Sequence, residues 1–191
     1  MKLMEEHFDI CDVHGRLTGE SLPRSVVHAQ GLWHKSAQVW IIDSQNRVLL
    51  QRRDERKQTD PGKWDISVAG HVSAGQTVLE AALRETEEEL GLILYPEELE
   101  LVFIAPREYL DTEHQFYDRE FHHTFLCRRD VELSTLRLQP GEVIDVTWQS
   151  LDEFYHRVEG DDQGLVGRPG EYTAMFQRLG IPRSTSVANQ T

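Results

Sequence analysis

The stretch Gly70-His71-Val72-Ser73-Ala74-Gly75-Gln76-Thr77-Val78-Leu79-Glu80-Ala81-Ala82-Leu83-Arg84-Glu85-Thr86-Glu87-Glu88-Glu89-Leu90-Gly91-Leu92 decides how this chain is read. Thr77 followed three residues later by Glu80 makes a capping box, in which each side chain satisfies a backbone N–H of the other residue. Gly91 supplies a left-handed stop. Together they predict a helix from Thr77 to Leu90. Leu79, Ala82, Leu83, Thr86 and Leu90 recur at helical spacing, so this face should lie on a sheet.

The neighbouring flank carries four glutamates in five residues. Spacings of three and four bring helical side chains together, which puts Glu85, Glu88 and Glu89 in one patch. Like charges repel at those spacings, and a helix C-terminus favours cations, so the patch is unfavourable twice over. A bound cation reverses both penalties, and hard divalent ions take oxygen ligands. Arg84, one turn before Glu88, can hold that carboxylate, while Gly70 allows close approach of its backbone carbonyl. A solvated acidic face is the bland alternative, since charge runs usually face water.

With Gly70, Gln76, Arg84-Glu85, Glu88-Glu89, Gly91 and Leu92 at these spacings, the 23-residue segment resembles the Nudix box. It departs from that pattern at Gln76, where the family has glutamate, and at Thr86, where it has a bulky aliphatic. The resemblance runs from Glu6 to Phe154 and looks most like the branch related to isopentenyl-diphosphate isomerase. It is carried there by His34-Lys35-Ser36, Leu50-Gln51-Arg52-Arg53, Pro61-Gly62-Lys63-Trp64 and Gly70-His71.

The resemblance implies an α+β fold, an α/β/α sandwich with a mixed sheet flanked by helices. It also implies magnesium-dependent hydrolysis, with manganese as the alternative ion, of a diphosphate bond in a nucleoside diphosphate linked to X or a related compound. Metal-activated water would attack at phosphorus. Glu85 and Glu89 then correspond to the principal metal ligands, Glu88 to a further ligand and catalytic group held by Arg84, and the Gly70 carbonyl to an additional ligand. Glu120 matches a metal-binding glutamate of the isomerase branch and is expected as base or ligand; a solvated strand-edge glutamate is the alternative. Arg52, Arg53, Lys57 and Lys63 lie near the loop that branch uses for phosphates. His28, His34 and His71 approximate its metal-binding histidines, although His28 and His34 stand one residue too close, and each taken alone is better read as structural. Trp33, Trp64, Tyr109, Phe116 and Tyr117 either stack a base or pack in the core.

Two rivals follow from the same residues. An isomerase should carry its catalytic cysteine immediately before Gly70-His71, and this chain has Ala69. A ligand sensor of weak activity is favoured by Gln76 and opposed by the complete set of Arg84, Glu85, Glu88 and Glu89.

Outside the box the chain alternates as strands around Phe8–Val13 and Leu17, then Val39–Ile41 and Val48–Leu50 as a hairpin, Asp65–Ala69, Leu99–Ile104, Phe121–Cys127 and Val143–Trp148. Short helices are expected near Pro23–Val27 and Leu151–Val158. Substrate choice is assigned to loops at Asp54–Lys63, Tyr109–Arg119 and Gly160–Glu171. The expected division is an N-terminal extension over 1–30, the main domain over 31–160, a C-terminal segment over 161–183 and a polar, disordered tail over 184–191.

The whole has 191 residues, a formal charge of -13 and a mean hydropathy of -0.51, and no apolar run long enough to span a bilayer. That charge argues against duplex nucleic acid and anionic membrane as partners, and an anionic ligand would need something to screen it; the small diphosphate partner is what the resemblance implies. Without an address at the N-terminus the expected compartment is the cytoplasm. Cys11 and Cys127 read as reduced core thiols, and the N-terminal extension offers a surface for a homodimer.

Overall fold

The computed structural model describes residues 5–168 and 170–181; the expected tail at 184–191 lies outside them. Nine strands form one mixed sheet: β1 (His7–Cys11), β2 (Leu17–Pro23), β3 (Trp33–Ile42), β4 (Arg47–Arg53), β5 (Trp64–Asp65), β6 (Val68–His71), β7 (Glu100–Asp111), β8 (Phe116–Arg128) and β9 (Val143–Ser150). Four helices accompany them: α1 (Arg24–Gln30), α2 (Val78–Leu90), α3 (Leu151–Glu159) and α4 (Glu171–Arg178). No described helix is long and apolar enough to cross a membrane.

Strand β3 is the hub. It runs parallel to β8 from Trp33 opposite Arg119 to Ile42 opposite Arg128, and antiparallel to β6 from Ser36 opposite His71 to Val39 opposite Val68. Because strand side chains alternate between faces, β3 feeds two cores. Val39 and Ile41 join Ala81, Ala82 and Leu90 of α2, whereas Trp40 and Ile42 join Phe154 of α3 and Met175 and Phe176 of α4. The sheet is thereby covered by helices on both sides, the expected α/β/α sandwich.

Toward its beginning the same alternation brings polar residues into place. His34, Ser36 and Gln38 occupy the face that Trp40 and Ile42 continue, and the parallel register sets Glu120, His122 and Thr124 of β8 beside them. One half of this sheet face is therefore polar while its other half is core.

Several expectations are corrected. The β3–β4 hairpin closes at a single pair, Ile42 with Val48, after which the strands diverge and β4 pairs with β9. Ser67 bridges the gap: its hydroxyl donates to Leu49 O at 2.6 Å and accepts from Ile41 N at 2.8 Å. The expected strand Asp65–Ala69 is consequently two pieces, β5 on β4 and β6 on β3. The segment Tyr109–Arg119 is a long hairpin rather than a loop, turning through Gln115 at φ 52°. Helix α4 has no counterpart in the expectations.

Candidate active site

Helix α2 begins as its sequence requires, with Thr77 and Glu80 capping each other, and ends at Gly91 with φ 65°. Between them Arg84 organises the acidic flank. It donates to Glu88 Oε2 at 2.8 Å and to the His71 carbonyl at 3.0 Å, and its Nη2 lies 3.0 Å from Glu85 Oε1. Gln76 Oε1 accepts from Arg84 Nε at 3.3 Å, so the glutamine still orients the guanidinium with an oxygen. Glu85 lies against Gly70 so closely that any Cβ there would overlap its carboxyl group. Glu89 is buried and accepts from Gln51 Nε2 at 3.0 Å, whereas Glu88 remains half-exposed. Burial pushes Glu89 up to about 8, with the Glu85 charge adding to it. Burial likewise raises Glu85 to about 7 against the pull of Arg84.

Thr86, the other departure from the box, is fully buried and returns its hydroxyl proton to Ala82 O at 2.7 Å. It is a satisfied packing residue.

A second group of ligand atoms forms on the sheet. His28 of α1, His34 of β3, His71 of β6 and Asp118 of β8 bring one ligand atom each within 4.8 Å of the others. His28 Nε2, His34 Nε2 and Asp118 Oδ1 are buried without a hydrogen-bond partner, although Asp118 Oδ1 is 3.5 Å from the first and 3.6 Å from the second. Glu120 Oε1 adds a further oxygen 3.3 Å from His71 Nε2. Burial pushes the Glu120 carboxyl up, but the His122 hydrogen bond and the facing histidines outweigh it and hold the group well below its usual range. Burial keeps His71 largely neutral, a state fit for ligation. Each histidine alone reads as structural; the fold brings three of them together, with Phe8 stacked on His34 and His71 at 4.9 and 4.6 Å.

The acidic flank of α2 and, from the second group, His71, Asp118 and Glu120 line one cavity of about 360 Å³, which also receives Arg53 and Lys57, while His28 and His34 lie buried behind that wall. Arg52 and Lys63 do not line it. Arg52 donates to Gly62 O and Lys63 pairs with Asp60, as expected if neighbouring strand residues face opposite ways. Arg107, Arg168 and Arg24 line the cavity too and escaped the sequence reading. Among the described residues Arg107 makes no hydrogen bond or ion pair within 4.0 Å, which leaves its guanidinium for an anion. Tyr109 and Phe116 meet edge to face at 6.3 Å on the wall, whereas Trp33 packs on Phe121 and Trp64 on the core. Cys11 and Cys127 are buried free thiols, both pushed up by burial, and neither lines the cavity.

The model of the NUDIX domain matches residues 32–166. The chain belongs to the Nudix family. Among related sequences it is 37% identical over 179 residues to Nudix hydrolase 3 of Arabidopsis thaliana, covering 91% of this chain but 23% of that longer protein. It is 33% identical over 137 residues to an isopentenyl-diphosphate Delta-isomerase of Cutibacterium acnes, covering 70% of this chain and 68% of that one. The resemblance to both Nudix hydrolases and the isomerase branch is thus shared with named relatives. A solved structure from Deinococcus radiodurans superimposes with a TM-score of 0.64 at 20% identity, over 91% of this chain and 98% of that one, and shows the same fold.

Proposed function

We propose that this Nudix protein hydrolyses a diphosphate linkage, in a nucleoside diphosphate joined to X or a related small molecule, with magnesium or manganese held on Glu85, Glu89, Glu88 and the Gly70 carbonyl. The observation that carries the reading is the pair of half-buried Glu85, pressed against a glycine that admits no side chain, and buried Glu89, both opening into the cavity. Two carboxyls pushed up to about 7 and about 8 sit where their charged forms are unfavourable, and a bound cation would offset that cost. The three unpartnered ligand atoms of His28, His34 and Asp118 fit a second divalent ion in the same way.

A bound divalent ion neutralises charge on diphosphate oxygens and lowers the pKa of a coordinated water. The chain's own residues do the rest. Arg84 holds Glu88 and Glu85 in place, Arg53, Lys57 and Arg107 attract and orient the phosphates, and Glu120 stands ready at the sheet side as a proton acceptor or ligand. The polar walls exclude no charge, which suits an anionic substrate. The isomerase reading gains from the histidine cluster but needs a thiol where the chain has Ala69.

The three segments 1–30, 31–160 and 161–183 act in this proposal as one unit, because Glu6, Arg24 and Arg168 all line the cavity; the compartment proposed is the cytoplasm. The test is a panel of nucleoside diphosphate and triphosphate compounds with magnesium, scoring released phosphate and monophosphate. Turnover on some member, lowered in Glu89→Gln by about a hundredfold or more as expected for lost electrostatic stabilisation, supports hydrolysis. Magnesium-dependent binding without product from any compound would replace the enzyme with a sensor.

A further inference from the structure

Behind Glu120 lies a buried line of alternating charge that ends on helix α4, beyond the matched Nudix segment. Asp65 accepts two hydrogen bonds from Arg168, at 2.7 and 2.9 Å, and Arg168 Nη1 lies 3.7 Å from Glu171 Oε2. Glu171 Oε1 is 2.9 Å from His122 Nδ1, and His122 Nε2 is 2.8 Å from Glu120 Oε2. Asp65, Arg168, Glu171 and His122 are each at most 6% exposed. Gln38 closes the group: with its amide oriented so that the nitrogen faces Glu171 Oε2 at 2.9 Å, its oxygen lies 2.6 Å from Arg168 Nη1 and 2.5 Å from His122 Nδ1, so that Glu171 and Gln38 share the Nδ1 side of the ring.

Such an arrangement is costly to bury and has little packing reason, since apolar residues would fill the same volume. Its geometry has a direction, however. The His122 ring spans two carboxylates with its two nitrogens, so fixing one end fixes the other. Glu120 is left with Oε2 occupied and Oε1 aimed at His34 and His71, 3.6 and 3.3 Å away.

We infer that Glu171 is a positioning residue of the site: by gripping His122 it sets the Glu120 carboxylate so that one oxygen faces the histidine cluster. The inference rests on the proposed second ion at that cluster, and it makes the C-terminal segment part of the working centre. Outer partners of ligating groups commonly change metal affinity ten- to a hundredfold.

The experiment titrates Mn²⁺ into the full chain without substrate, followed by electron spin echo for the nitrogen modulation that only histidine-ligated manganese gives. Glu171→Leu should weaken the histidine-bound ion at least tenfold and leave the nitrogen-free ion at wild-type affinity. Glu171→Gln, which retains an acceptor for His122, should stay within a few-fold of wild type. His122→Phe removes the link while Glu171 keeps Arg168, and guards against misfolding of the leucine variant. It should reproduce the loss, and adding Glu171→Leu to it should change nothing further. Wild-type affinity in Glu171→Leu or His122→Phe would overturn the inference alone. A wild-type protein whose manganese shows no nitrogen modulation would overturn it together with the second ion, while the hydrolysis panel would still judge the reaction.

Discussion

Glu85 and Glu89 must lose their protons to ligate, and burial makes both reluctant to do so. Magnesium affinity should therefore climb between pH 6 and 8, roughly, and level off above about 8, measured by calorimetric titration at a series of pH values. Without metal the sign for stability is the reverse. Their folded values lie above the ordinary 4.5, so the folded state holds more protons in between, and ion-free stability should fall as pH rises from about 5 to about 8. Urea unfolding in a chelator checks this, and Glu89→Gln should flatten the slope. Gly70→Ala should displace Glu85 and weaken magnesium binding about ten- to a hundredfold with little change in circular dichroism. These residues were legible because helical spacing alone gathers them. The histidines were legible only through the resemblance, and Asp118 not at all, because His28, His34, His71 and Asp118 come from one helix and three strands and meet only in the folded chain. The alternation Asp118, Glu120, His122 was a readable signal that one face of β8 is functional.

Among the elements, α2 was read almost to the residue, since its cap, its stop and its apolar stripe all agree. Thr77→Ala removes the cap bond to Glu80 and should cost about 1 kcal/mol in chemical denaturation, with the metal site intact once folded. Strand partners were harder. The turn Asp43–Asn46 announces a hairpin, yet the ladder stops after one pair because Ser67 intrudes where direct bonds would continue. Such a side-chain bridge has no periodic signature. Helix α4 went unread for a similar reason: its eight residues follow Gly167-Arg168-Pro169-Gly170, which resembles a loop, and its apolar stripe is too short to stand out.

For the whole molecule the charged floor matters most. Arg168→Met would leave Asp65, which is buried and held to about 2 by that arginine against its own burial, facing Arg53 alone at 3.5 Å. A loss of about 3–5 kcal/mol in urea unfolding is expected, as for other broken buried pairs. The layered architecture could be anticipated, because composition, box and alternation all pointed to it; the joining of N-terminal and C-terminal segments in one cavity could not, because no local pattern records it. The parallel alignment of β3 with β8 has a consequence for synthesis. As the chain leaves the ribosome, the box helix and β3 emerge well before β8, and β8 before α4. Distant parallel pairings form late, so a growing chain carries its acidic helix for some time without the strand that completes the cavity. The histidine cluster proposed for a second ion is thus completed only when β8 has paired with β3, and the proposed grip of Glu171 on His122 only when α4 docks.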